Sequence, residues 1–544
     1  MSAEAKTWKC GSLVYTKRGL IALFGWLLWG DVCFTLMEAV VPSILPLHFK
    51  NLGASNMTIG FVLTTLPGIF NLTVTPWLSF KSDRHRSRWG RRIPFMLFTA
   101  PFLALSLIFI AFSDSLGAWV HGTFFSGGVI GQAQVVIVLL TGFAAMFDLF
   151  NMFVNTVFWY LFRDVVPESH FSQFNAYFKV VGSTTGTLYN FFIFKYAESH
   201  MREIYLGAAL LYVIGFGAMC LMVKEGEYPP VTDVTEKSTF LDKIKIYAKE
   251  CFSMRYYWDI FLWQTFRAMS FACGVYSVFM FKSLGLSLDL IGKKGALAAV
   301  TGPVCLLIIA RYVDRWHPMR VYAYCAAWGA FFAFGGWVWL FVMEPSPMLF
   351  FWIFIVAGVF GALFGAAGSA SEAPLLMLLF PKQKYGQFSG AMALIRAVAL
   401  MASGILAGAF LDFWKHVFPE GDFSYRLIFL WQGPLTILSF YFFYRVYRVW
   451  KRMGGTDGFT PPEEKFRLSD LLPRPGQTSG LLMPMVWFTR IIVIGWVVTG
   501  LTWIGYYTYY EPKPDYVKIF CLNTGISFTV YLIYLRFMKF MERP

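Results

Sequence analysis

The stretch FKSDRHRSRWGRR, residues 80–92, sets six Lys or Arg residues around a single Asp, and long apolar runs press on it from both sides. One of those runs, PFMLFTAPFLALSLIFIAF at residues 94–112, contains no charged residue. About 20 apolar residues cross roughly 30 Å of hydrocarbon as a helix. The charged island is therefore a place where the chain leaves the bilayer and turns back. The composition agrees: the 544 residues are 57% hydrophobic, 19% aromatic and 14% charged, with a mean hydropathy of +0.56, whereas soluble domains carry about 25% charged residues. Apolar runs of this length exclude a barrel, whose strands are short and alternating, and imply an all-α, polytopic membrane bundle.

Outward from the island, fourteen spans are expected at residues 19–47, 57–79, 94–112, 133–162, 173–197, 204–223, 258–281, 295–310, 321–343, 348–380, 387–411, 425–444, 484–508 and 517–538. The first is too long for a signal-peptide core and lacks a small-residue cleavage site, so it is expected to be retained. The eight Cys are widely separated, with no CxxC pair and no disulfide framework. The net charge of +15 is explained without nucleic acid. With the N-terminus in the cytoplasm, most of the 46 Lys and Arg fall in the inner segments, as the positive-inside rule requires. The island then lies inside, both termini are cytoplasmic, and the protein sits in the cell membrane against anionic lipid.

Two polar stretches divide the chain. The expected units are an N-terminal six-helix half (1–223), a central cytoplasmic loop (224–257), a second six-helix half (258–450), a Gly/Pro-rich linker (451–483) and an extra two-helix hairpin (484–544). In the central loop, STFLDKIKIYAKECF alternates apolar and charged residues at helical spacing, as a helix lying on the membrane face does; a solvated linker helix is the alternative. An internal repeat supports the two halves. VPESHFSQF (166–174) and FPKQKYGQF (380–388) share Pro, an aromatic residue and Gln-Phe at the same spacing, at equivalent junctions. Asp83-Arg84 after the second span is echoed by Asp314-Arg315 after the eighth. A duplicated six-span unit is the architecture of transporters that bind cargo between halves.

With these motifs in place, SDRHRSRWGRR resembles the loop between the second and third spans of the major facilitator superfamily. Ser82-Asp83-Arg84, Ser87-Arg88, Gly90-Arg91-Arg92 and Pro94-Phe95 resemble the form found in sucrose-proton symporters and the related glycoside-pentoside-hexuronide cation symporters. Asp148, Asn151 and Asp164 in the fourth span fall on that pattern too, but Trp159 stands where the pattern has an Arg. The resemblance covers residues 19–446 and implies alternating access between two halves. It makes Asp83, Arg84, Gly90, Arg91, Arg92, Asp164, Asp314 and Arg315 candidates for a cytoplasmic gate. Asp83 would pair with an Arg or cap a helix of the other half; a mere topology anchor is the alternative.

A carboxylate at mid-membrane costs about 2.5–3.5 kcal/mol on insertion scales, so it faces a cavity or a partner. Asp148 is followed by Asn151 and Asn155 on one helix face. It is the first candidate for proton coupling, with a static interhelical hydrogen bond as the alternative. Asp31 and Glu38, seven apart and nearly eclipsed, are further coupling candidates lining one path, Glu38 nearer an outer vestibule. Asn71, Asn151, Asn155, Gln264, Arg267 and Glu372 are the substrate-binding candidates. Glu372, among small residues and beside a helix-breaking Pro374, is a candidate gate or a partner for Arg267 or Arg396, with helix packing as the alternative. Lys179 and Arg396 are close enough to the inner face to snorkel. Phosphate loops, GxSxG, HExxH and paired metal-ligand spacings are missing from the sequence, which argues against an enzyme, a cofactor or a metal site. The expectation is a monomeric secondary transporter moving a sugar or glycoside with a proton. The alternative is the same fold with a non-sugar cargo, sodium coupling or export.

Overall fold

The computed structural model describes residues 7–227, 251–335, 346–418 and 422–462. The chain opens with a short antiparallel hairpin, β1 (Trp8–Cys10) and β2 (Leu13–Tyr15), with Trp8 opposite Tyr15. Thr16 then accepts the Gly19 N–H through its side chain and starts α1 (Lys17–Asn51), whose last turn carries His48 and Lys50, favourable against a helix C-terminus. The second helix, α2, begins at Asn56–Gly60 behind a Ser55 cap, passes through a π turn at Phe61–Thr65 and continues as Leu66–Arg84. After the charged island come α3 (Ile93–Ala111), α4 (Gln132–Val165), α5 (Phe171–Leu188) and α6 (Met201–Leu211, continued to Met222 through a second π turn).

The later part repeats this plan with α7 (Arg255–Phe271), α8 (Leu288–Trp316), α9 (Pro318–Gly335), α10 (Pro347–Leu379), α11 (Tyr385–Val417) and α12 (Ile428–Arg452). Among the described residues, nine helices are long and apolar enough to cross a membrane. On α10 the large residues Trp352, Val356, Val359, Phe360 and Leu363 are exposed, a surface stable only against lipid. The helix runs unbroken past Pro374, so the expected local break there does not occur: neighbouring helices tolerate one missing N–H.

Packing is local within each run of helices, α3 against α4 and α6, α7 against α12 and α11, α8 against α10. The two runs meet chiefly through α2 with α11 and α5 with α8. The repeated junctions fold alike. Val166 and Phe380 each end a helix in extended conformation, a 3-10 turn follows (Glu168–His170 and Lys382–Lys384), and the next helix starts one residue later. Within them, His170 N–H donates to the Pro167 carbonyl and Lys384 N–H to the Pro381 carbonyl, while Phe174 and Phe388 are both buried. One sequence pattern gives one local structure twice. The amphipathic stretch of the central loop up to residue 250, residues 336–343 of the ninth span, the linker from residue 463 and the last two spans lie outside the described residues.

Candidate functional site

Three helices build a polar cavity of about 470 Å³. From α1 comes Glu38, from α2 Asn71 and Thr75, and from α4 Asp148, Asn151, Asn155, Thr156, Trp159 and Tyr160. The spacing of Asp148, Asn151 and Asn155 puts all three on one face of α4, and the cavity is where that face points. Asn151 reaches across to α1, its Nδ2 donating to Glu38 Oε1 at 2.7 Å. Its Oδ1 is buried without a hydrogen-bond partner. On α2, Thr75 donates to Asn71 at 3.4 Å. Two carboxylates thus share a cavity whose described lining includes no Lys, Arg or His.

Glu38 lies in this cavity and not in a separate vestibule. Asp31 does not line it with Glu38. Asp31 is 1% exposed, and its carboxylate accepts from Thr35 Oγ1 at 3.1 Å and leaves Oδ2 without a hydrogen-bond partner. Gly182 on α5 packs beside it, where a Cβ would stand at ordinary contact distance, 3.4 Å from Asp31 Oδ2.

The remaining substrate candidates gather on the other half. Arg267 Nη1 lies 2.8 Å from Glu372 Oε2 and donates to Tyr322 OH at 3.0 Å. Trp263 Nε1 donates to the same hydroxyl at 3.2 Å. Of the two expected partners for Glu372 the structure selects Arg267; Arg396 is exposed, as is Lys179. Arg267 also borders a cavity of about 700 Å³ walled by aromatic side chains, among them Trp263, Phe364 and Phe440. Gln264 is buried, with Nε2 lacking a hydrogen-bond partner. Sequence reasoning missed Tyr322, because a Tyr among many aromatic residues carries no signal until its partners are known.

At the charged island the gate candidates separate. Arg91 grips Asp164 with two hydrogen bonds, Nε to Oδ2 at 2.9 Å and Nη2 to Oδ1 at 2.6 Å, and Arg92 Nε adds a third at 3.1 Å. Arg92 Nη1 also donates to Ser82 at 2.6 Å. Glu225, just beyond α6, was not anticipated: it accepts the backbone N–H groups of Arg91, Arg92 and Ile93 at 2.9, 2.7 and 2.6 Å. It thereby serves the unsatisfied donors that open α3. Gly90 turns with φ 99°, and a Cβ there would meet Glu225 at 2.5 Å; both facts require glycine. The N-terminal hairpin braces the cluster, Cys10 Sγ donating to the Asp164 carbonyl at 3.4 Å and Ser12 Oγ accepting the Glu227 N–H at 2.7 Å. These ion pairs stay within one half. Arg84 and Arg315 are exposed, and the side chains of Asp83 and Asp314 lie outside the described residues.

Contacts between the halves concentrate at the opposite end. Lys282 meets Glu198 at 2.5 Å, Ser183 Oγ donates to the Ala299 carbonyl, and Gly295 packs on Asn190. Here too Asp412 of α11 receives the start of α2.

Comparison with solved structures places this architecture. The nucleoside transporter NupG (D323A mutant) superposes with a TM-score of 0.58 at 13% identity, covering 78% of this chain and 100% of that one. A bacterial homolog of the human lysosomal transporter Spinster, inward-facing and unoccupied, gives 0.55 at 12% identity, covering 82% and 100%. A D-xylose-proton symporter gives 0.52 at 14%, covering 78% and 96%. At such identities the likeness is one of fold. No curated protein matches the sequence. The family model described as MFS/sugar transport protein matches residues 27–422, a span that takes in the polar cavity, the Arg267–Glu372 pair and the charged island, and the chain is therefore a multi-pass membrane transporter of the MFS/sugar transport family.

Proposed function

We propose that the protein is a proton-coupled symporter of a sugar or glycoside, working as a monomer in the cell membrane with the charged island on the cytoplasmic side. The observation that carries this reading is the pairing of Glu38 with Asp148 in a cavity whose described lining holds no basic side chain. Like charges in a low-dielectric site repel, and the least costly relief is one bound proton. Asn71, Asn151, Asn155, Thr75 and Thr156 offer the amide and hydroxyl groups that exchange hydrogen bonds with sugar hydroxyls, and the half-exposed Trp159 offers a face for a pyranose ring. The solved D-xylose-proton symporter of like fold supports the same chemistry.

In this mechanism protonation of Asp148 removes a buried charge and lets the loaded halves rock. The sugar-loaded but deprotonated carrier keeps an uncompensated pair and is held in place, so sugar does not cross without its proton, and the empty carrier returns with water screening the two carboxylates. The test is external pH in weakly buffered suspensions of cells expressing the protein, with mono- and disaccharides and glycosides added singly. Alkalinisation with one sugar class, lost in Asp148→Asn while exchange persists, is the expected result. A sodium-dependent uptake without alkalinisation replaces the proton by sodium, and silence with every sugar removes the cargo class.

A further inference from the structure

The contact between α2 and α11 combines close backbone approach with a carboxylate that spans the two helices. Gly404 and Gly408, one turn apart, and Asp412 one turn further, lie on a single face of α11. The two glycines bring backbone against backbone. A Cβ on Gly404 would stand 2.6 Å from the Gly60 carbonyl oxygen, a Cβ on Gly408 would stand 2.5 Å from Met57 Cα, and a Cβ on Gly60 would collide with the Gly404 carbonyl. Spacing alone does not produce this. Gly361 and Gly365 on α10 have the same separation, and a Cβ on either meets nothing within 4 Å.

Asp412 fastens the approach. Its Oδ1 accepts the Asn56 backbone N–H at 3.0 Å and Asn56 Nδ2 at 2.8 Å, and its Oδ2 accepts the Met57 N–H at 2.9 Å. These are first-turn donors of α2, which have no partner within their own helix, and a carboxylate there also faces the positive end of the helix dipole. Tyr276 OH donates to the Asn56 carbonyl and Tyr425 OH to Asn56 Oδ1, both at 2.7 Å, and Lys50 Nζ donates to Tyr425 OH at 2.5 Å. Asn56 is 2% exposed. Residues from α1 and α2 on one side, and from the segment after α7, from α11 and from the approach to α12 on the other, converge on one peptide. The exposed Lys282–Glu198 pair at the same end is of the kind that contributes little.

We propose that Asp412 is the latch that holds this end of the transporter shut, and that the cavity opens toward this end when the carboxylate releases the start of α2. Each bond joins groups that must separate if α2 and α11 part here. Donors and acceptor regain water on parting, so the latch favours the closed arrangement by a moderate margin that a transport cycle can overcome. The inference is independent of the cargo and of the coupling ion.

Hydrogen–deuterium exchange of the full chain in nanodiscs tests it. In Asp412→Asn, amides over residues 56–65 and 400–412 should exchange at least tenfold faster, while those over residues 171–178 and 385–392, at the opposite end, should slow as that end closes. Gly60→Ala, which wedges the same contact without touching the carboxylate, should shift both ends in the same directions and serves if Asp412→Asn does not fold. Asp422→Asn, which removes a single contact to Lys50 at 3.9 Å, should change neither. Exchange that is unaltered at both ends in Asp412→Asn and Gly60→Ala overturns the latch, and exchange that rises at both ends reduces Asp412 to a folding contact and overturns it as well.

Discussion

Asn151 of α4 donates its side-chain amide to Glu38 of α1 at 2.7 Å, across the cavity that Asp148 also lines. A hydrogen bond to a charged group contributes about 1.5–3 kcal/mol. Under the proposed sugar symport, Asn151→Ala removes both a cavity-lining amide and this tie on Glu38 and should raise the sugar KM, as initial uptake rates will show. The double variant with Glu38→Gln should be no worse than the poorer single one, because partners in one bond are not additive. Simple addition of the two effects would mean that Glu38 and Asn151 act separately.

The Arg267–Glu372 pair is partly exposed, with side chains at 33% and 24%, so its net contribution to stability lies nearer that of a surface bridge than of a fully buried one. Glu372→Gln should lower the thermal midpoint by only a few degrees yet abolish most transport. Arg267 would keep Tyr322 but lose its counter-charge beside the aromatic cavity. Replacing both by Met should return the midpoint to that of the parent without restoring uptake. A double variant that transports would show that the pair serves packing alone.

Glu225 and Gly90 make a prediction about the clamp on the charged island. Gly90→Ala forces a side chain into left-handed backbone and against Glu225. Glu225→Ala leaves three backbone N–H groups without their acceptor. Each should destabilise the chain by about 1–3 kcal/mol, read as a fall in the thermal midpoint in detergent. The Glu225→Ala loss should be larger than that of Glu225→Gln, which keeps one acceptor oxygen. Equal losses would place the energy in the side chain's packing.

How much of this was legible beforehand follows from the physics of each signal. Apolar runs report burial in lipid, residue by residue, so the helices of the described residues fall close to the expected spans, and the repeated junctions announced themselves because identical local patterns fold identically. The Asp148–Asn151–Asn155 stripe was readable for the same reason, since helical spacing is local information. What one sequence does not encode is which stripe meets which. Arg267 and Arg396 were equal partners for Glu372 on paper. Asp31 and Glu38 looked like one path although α5 covers the first and α4 meets the second. Glu225, Tyr322 and Asp412 act through partners more than fifty residues away. The glycine pair of α11 has the same spacing as the unpacked pair on α10, so spacing alone does not tell them apart.

Trp159 offers the sharpest test of the cavity, because it stands where the resembling symporters carry an Arg. It is 50% exposed, lines the cavity, and is held edge-on to Phe162 and Phe178 at centroid distances of 5.7 and 5.0 Å. Eleven residues after Asp148, it lies on nearly the same face of α4, about 16 Å along the axis. That is too far for direct contact with the carboxylate and well placed to cover a ring bound between them. Stacking of this kind contributes about 0.5–1.5 kcal/mol, so Trp159→Ala should raise the sugar KM by up to about tenfold with the maximal rate little changed, and Trp159→Phe should recover part of the loss. Trp159→Arg should do something different. A long cationic side chain leaning back toward the N-terminal end of the helix comes within about 10 Å of Asp148, where an effective dielectric near 20 gives about 1–2 kcal/mol of attraction for the ionised form. A carboxylate favoured in its charged state needs more acid to bind its proton. The pH at which uptake is half-maximal should move lower. Uptake measured across external pH checks it: an unmoved profile in Trp159→Arg, with the KM raised as in Trp159→Ala, would separate the sugar site from the coupling carboxylate.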